Sequence, residues 1–193
     1  MRATRLHEKR ARRKHERGFT MIEAVISIAI LSFGVLTLAA VYAQGIYYAS
    51  MTQYDYVAEK KAEQAVEAIF TARDNNTLSW AQIQNVSAGG VFVEGPQPML
   101  QPGPDGLVGT ASDAGSPNEV IVIGPNDAGQ IGTATDKTVD LNPWMTRTID
   151  ISPVVDTAGN NAPNLRQITV TVHYQVGQMQ RTHTLISYIS SFA

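Results

Sequence analysis

Cysteine is absent from the 193 residues, which removes both a disulfide framework and thiol catalysis. Recognisable catalytic signatures are absent as well. There is no G-x-S-x-G elbow, phosphate-binding loop, H-E-x-x-H helix or dinucleotide fingerprint, and the serines are scattered without a neighbour that would activate one. Nothing in the chain therefore points to an enzyme. Charge is missing over one long stretch: residues 24–54 contain no Asp, Glu, Lys or Arg. That stretch also lacks proline, so a helix through it runs on, with at most slight bending near Gly34 or Gly45.

Residues 24–43 supply twenty uncharged, mostly apolar positions, the number an α-helix needs to cross the hydrocarbon layer. A secretory signal peptide has a shorter apolar region followed by its small-residue cleavage site. Here the small residue, Gly18, comes first, and a cut at that point leaves the span attached. Residues 1–18 hold eight Lys/Arg against two Asp/Glu, a net of +6, while the remainder holds seven against fifteen, a net of −8. A basic flank stays on the cytoplasmic side and sends the chain beyond the span across the membrane. The acidic body would repel phosphate, which argues against a nucleic-acid-binding protein.

One carboxylate, Glu23, stands at the edge of the span. An ionised acid well inside lipid costs about 2.5–3.5 kcal/mol, and less near the interface. Two explanations are open. Thr20 and Glu23 fit the S/T-x-x-E capping box, and an acid there complements the positive end of the helix dipole. The second, which can hold together with the first, is that a cut after Gly18 gives Phe19 a free ammonium, the natural partner for Glu23 of a neighbouring subunit.

The run R-G-F-T-M-I-E followed by A-V-I-S-I-A-I-L-S-F-G-V-L-T-L-A resembles the class III signal of type IV prepilins and type II secretion pseudopilins. Within that group, I-L-S-F-G-V-L-T-L-A-A-V is most similar to PilV-type minor pilins. The resemblance implies an aspartic prepilin peptidase that cleaves between Gly18 and Phe19 and methylates the new amine. It further implies that Glu23 guides the subunit into a fibre of other pilins or pseudopilins, through an inner-membrane assembly platform. The expected location is the bacterial cytoplasmic membrane, with a cytoplasmic N-terminus, and then a pilus or periplasmic pseudopilus. The chain departs from many major pilins in having Ala39-Ala40 and no kinking proline in the span. A bitopic membrane protein with a ligand-binding or catalytic outer domain is the alternative outside this class.

Past the span, Ala58, Ala62, Ala65, Val66, Ile69 and Phe70 recur at helical spacing, with Glu59, Lys60, Glu63, Gln64 and Glu67 on the other side. Asp74-Asn75-Asn76 reads as the stop. A helix over residues 20–73 measures roughly 80 Å at 1.5 Å per residue. Residues 77–86 fit either a short helix or an irregular connection. Residues 94–118 hold five prolines and five glycines and read as a surface loop. Strands are expected over 119–123, 145–151, 166–176 and 180–189, the last two forming a hairpin around Gly177-Gln178-Met179. That turn places Ile168 and Val170 opposite Tyr188 and Ile186 on the core side. The division is a leader at 1–18, a membrane helix at 19–44, its amphipathic continuation at 45–74 and a head at 75–193. The fold class is α+β: a long N-terminal helix packed on a small antiparallel sheet, as in pilins.

Two constellations could bind metal. A three-residue hairpin loop puts His173 directly across from His183, a pair without a third ligand and more simply an exposed cross-strand pair. Asp105 and Asp113 lie in the glycine-rich run at residues 103–113, which resembles the calcium-binding loop of major pseudopilins. It lacks EF-hand spacing and equally suits a plain turn. No other cofactor is expected. His7 and His15 belong to the leader, and Trp80 and Trp144 read as core anchors.

Overall fold

The computed structural model describes residues 18–124, 136–155, 157 and 159–192. The basic leader with His7 and His15 lies outside the described residues apart from Gly18. The chain divides into two compact units, residues 1–48 and 49–193. One helix, α1 (Met21–Asp74), occupies the described part of the first and enters the second. It opens at Thr20, whose carbonyl accepts the N–H groups of Glu23 and Ala24, both at 3.1 Å. It closes where the sequence signals a stop: Asn76 takes the left-handed conformation at φ 55°, and Thr77 and Leu78 donate back to the Ala72 carbonyl.

In the second unit the strands are β1 (Gln97–Pro98), β2 (Val120–Gly124), β3 (Lys137–Asp140), β4 (Met145–Val155), β5 (Asn161–Val176) and β6 (Met179–Ser190). A four-stranded antiparallel sheet runs in the order β1-β4-β5-β6, and β2 pairs with β3 separately. Ala58, Ala62, Ala65, Val66, Ile69 and Ala72 of α1 share one buried core with Ile149, Ile151, Ile168, Val170, Val172 and Ile189 of the sheet. The α+β arrangement read from the sequence is the one observed. The alanines on the helix face are small and leave room in that core. Long β-branched side chains on the strands fill the space they leave.

Residues 77–86, left open by the pattern, contain a 3-10 turn at Trp80–Gln82, and a second follows at Val86–Ala88. Strands β1 and β3 are additions, short and without a run of alternating residues to announce them. The loop at 94–118 is more than surface. Met99, Leu107 and Val108 enter the core, and Gln97–Pro98 forms an edge strand. Proline and glycine set its path, while the few apolar residues decide that the path returns inward. Trp80 and Trp144 pack against the margin of the core, partly buried, Trp144 meeting Tyr54 edge to face at 5.2 Å.

The β5–β6 hairpin corrects the expected register. Val176 pairs with Met179, so the loop is the two residues Gly177-Gln178, with Gly177 at φ 62°. A two-residue turn with glycine first matches the strand twist, as a three-residue loop beginning at the same glycine does not. A slip of one residue exchanges the faces of a strand. Ile168 and Val170 therefore lie opposite Ser187 and Leu185, and Ile186 and Tyr188 are exposed on the outer face. By the same slip His173 pairs with Thr182 and His183 with Val172, which overturns the expected His173–His183 pair.

Candidate functional site

Gly18, Phe19 and Thr20 precede α1 as exposed chain without regular secondary structure, and Phe19 is 77% exposed. The capping reading of Thr20 is half realised: its hydroxyl oxygen accepts the Glu23 N–H at 3.3 Å. No described residue bonds the Glu23 carboxylate. It is the only charged side chain in residues 18–54. Further along, Ser27, Ser32 and Thr37 donate their hydroxyls to the carbonyls of Glu23, Ile28 and Phe33 at 2.7, 2.7 and 2.5 Å. These bonds satisfy the serine and threonine hydroxyls of the span from within the helix, as an apolar surrounding demands. Glu23 is the exception. Among the described residues, α1 is a helix long and apolar enough to cross a membrane, with mean hydropathy 2.5 over its most apolar window.

Asp105 and Asp113 are brought together, as their shared loop suggested. Asp113, buried, accepts the N–H groups of Gly103 (3.0 Å), Gly109 (2.6 Å) and Thr110 (3.3 Å). Asp105 accepts from the Leu107 N–H at 3.0 Å and the Thr110 hydroxyl at 2.7 Å. All four carboxylate oxygens thus already hold a hydrogen bond. Gly109 is required here: at φ +79° a side chain is strained, and its Cβ would stand 2.8 Å from Ile149 Cδ1. Burial pushes the Asp113 carboxyl up against the pull of its three N–H donors, and the Asp105 charge adds to the rise. For Asp105 burial works upward too, but bonds from Ser112, Leu107 and Thr110 together outweigh it and hold the carboxyl below its ordinary value. Among the described residues no group of three or more His, Asp or Glu is arranged to hold a metal.

Two charged constellations were not anticipated from the sequence. Glu119, just before β2, receives both Nη groups of Arg147 from β4 at 3.2 Å, and both side chains are buried. Lys61 Nζ of α1 lies 2.9 Å from the other Glu119 oxygen, an ion pair by distance whose alignment falls short of a hydrogen bond. The signal for Arg147 was present: it occupies an inward position of the alternation Met145, Arg147, Ile149, Ile151 and so needed a buried acid. In the second, the Tyr174 hydroxyl donates to Asp55, which also pairs with Arg181 at 3.1 Å. Nothing local marks that triad, since its members are 119 and 126 positions apart.

Residues 13–39 match the model of the prokaryotic N-terminal methylation motif. No curated protein and no solved structure matches the chain. The matched segment contains Gly18, Phe19 and Glu23 and supports a membrane-anchored precursor of type IV pilin or pseudopilin type, a structural class. A class III signal implies processing by prepilin peptidase and assembly with other pilins.

Proposed function

We propose that the chain is a minor type IV pilin of PilV type, cut after Gly18, methylated on Phe19 and assembled into a pilus or its initiating tip. The observation that carries this reading is Glu23: an acid inside a matched methylation motif, bonded by no described side chain. Cleavage creates the ammonium that would meet it on an adjacent subunit, a charge-assisted contact that sets register. Close packing of the 24–43 surface, with small residues Ala29, Ser32, Gly34 and Ala39, supplies the remaining attraction. The basic leader orients the precursor with its head outside the cytoplasmic membrane, where the assembly platform and neighbouring pilins are its partners.

A type II secretion pseudopilin is the second reading, favoured by the Asp105–Asp113 loop and disfavoured by a head long for the small minor forms. For that loop we propose a structural role in which the two carboxylates hold backbone N–H donors, with calcium as the competing occupant. Mass spectrometry of the protein from cells with and without prepilin peptidase tests the main reading. A mature form beginning at methylated Phe19, only where the peptidase is present, is the expected result. An intact chain of 193 residues in both strains overturns it.

A further inference from the structure

At the turn end of the main sheet lies a groove of about 390 Å³, bordered by Trp144, Tyr174, His173, Gln175, Gln180 and Arg181. Its volume falls in the range of small-molecule sites. Trp144, His173 and Gln175 are each fixed by a side-chain bond to the protein that leaves another part of the side chain free. The Trp144 indole N–H is tied to the Asp140 carbonyl at 2.5 Å, so the ring offers only its apolar surface. His173 Nδ1 shares a 3.1 Å bond with the Thr182 hydroxyl, which leaves Nε2. Gln175 Nε2 donates to the Gly177 carbonyl at 2.8 Å, which leaves its amide oxygen. Tyr174 and Arg181 alternate with these residues along their strands and project from the other face of the sheet, where Asp55 of α1 holds both. Such prior orientation removes much of the entropy cost of binding.

The chemistry of the lining selects the ligand. The side chains on the outer face, Thr146, His173, Gln175, Gln180 and Thr182, include no Asp, Glu, Lys or Arg, so a formally charged ligand gains little. A purely apolar ligand would strand the imidazole and amide groups. What fits is a neutral molecule with one apolar face and many hydroxyls. The groove also continues onto a field of hydroxyls on the outer sheet face. Thr146, His173 and Thr182 form one row across three strands, and Thr148, Thr171 and Thr184 form the next. Rows and strands repeat at about 6.8 and about 4.8 Å, the scale of one sugar ring. The geometry points to a binding site for a neutral oligosaccharide, with one ring against Trp144 and later units on the threonine rows. The inference does not rest on the filament reading.

The test uses the full chain in a zwitterionic, sugar-free detergent. Only two tryptophans are present, so Trp80→Phe leaves Trp144 as the sole indole reporter. The probes are β1,4-linked oligomers of glucose and of N-acetylglucosamine, two to four units long, with α1,4-linked glucose oligomers as a separate arm that reads linkage. A saturable change in emission is expected, with Kd on the order of 1 mM for the dimer and about fivefold tighter for the tetramer. His173→Ala and Gln180→Ala, both at exposed positions, should each weaken binding about tenfold. Thr171→Val should remove the gain with length. Saturation-transfer NMR on the unsubstituted chain gives the same reading without Trp80→Phe. No saturable response to any arm by either method overturns the site. So does binding that His173→Ala and Gln180→Ala leave unchanged, or tighter binding of uronic-acid oligomers than of neutral ones.

Discussion

Arg147 and Glu119 face each other in the interior of the head, two Nη groups against one carboxylate oxygen at 3.2 Å, with 2% and 3% of their side chains exposed. The pair fastens the start of β2 to β4, a middle strand of the main sheet, and Lys61 joins it to α1. Removing one member leaves the other charged and buried. Arg147→Met is therefore expected to cost about 3–5 kcal/mol in denaturant unfolding, and Glu119→Gln a similar amount. The double variant Glu119→Met with Arg147→Met should cost less than either single change, because apolar side chains of similar volume satisfy the site and Lys61 can turn to solvent. Additive losses would show that the pair is not coupled.

The Tyr174–Asp55 bond makes a prediction at alkaline pH. Burial, then the hydrogen bond to Asp55, then the Asp55 charge push the Tyr174 hydroxyl up to about 12, with Arg181 pulling the other way. A group whose pKa is raised by folding contributes stability below its unfolded value and loses it as pH climbs through the folded one. For Tyr174 that window runs from about 10 to about 12. Ultraviolet titration of phenolate absorbance should show one tyrosine ionising last, and Asp55→Asn should move that step down. A Tyr174→Phe variant that still shows the late step would sink the assignment.

The hairpin register has its own check, made clean by the absence of cysteine. Replacing His173 and Thr182 with cysteine sets two Cα partners opposite each other, and a disulfide should form on mild oxidation. Cysteines in place of His173 and His183 should not join, since those positions project from opposite faces. Closure of the second pair in preference to the first would restore the three-residue loop.

How much the sequence reveals depends on the range of each signal. Helix α1 could be read to within a residue or so because hydropathy, alanine spacing and the Asp74-Asn75-Asn76 stop are all local. Strands β4 to β6 were legible for the same reason, from alternation. Register was not: one residue in the loop separates two pairings with equally regular alternation, and only the twist preference of Gly177-Gln178 decides between them. The Lys61–Glu119–Arg147 network was readable in part, through Arg147 at an inward position, whereas its partners come from elements 86 and 28 residues away. Gly18, Phe19 and Glu23 lie within the matched segment 13–39, and what the proposed processing asks of them depends on order along the chain and not on folding.

Asp113 gives a stability prediction for the glycine-rich loop. With three N–H groups depending on one carboxylate, Asp113→Ala leaves buried donors unpaired and should cost about 1–3 kcal/mol. Since every oxygen of Asp105 and Asp113 is already an acceptor, thermal melts in Ca²⁺ and in chelator are expected to coincide. A melting temperature that rises with Ca²⁺, and no longer does so in Asp113→Ala, would assign the loop to the metal instead.

Glu23 separates the demands of the membrane from those of assembly. Glutamine also serves at the third position of a capping box, so Glu23→Gln keeps the start of α1 while deleting its charge. Loss of that charge makes insertion into lipid easier, because an ionised carboxylate near the span is the costly species. Insertion and cleavage after Gly18 should therefore be unimpaired in Glu23→Gln and in Glu23→Val. Recovery of the subunit in shear-released filaments should fall in both, because no carboxylate is left to meet the Phe19 ammonium of a neighbour. A drop in Glu23→Val alone would mean that side-chain polarity at the helix start, and not charge pairing, directs assembly. Undiminished recovery of both variants would remove Glu23 from the assembly step altogether.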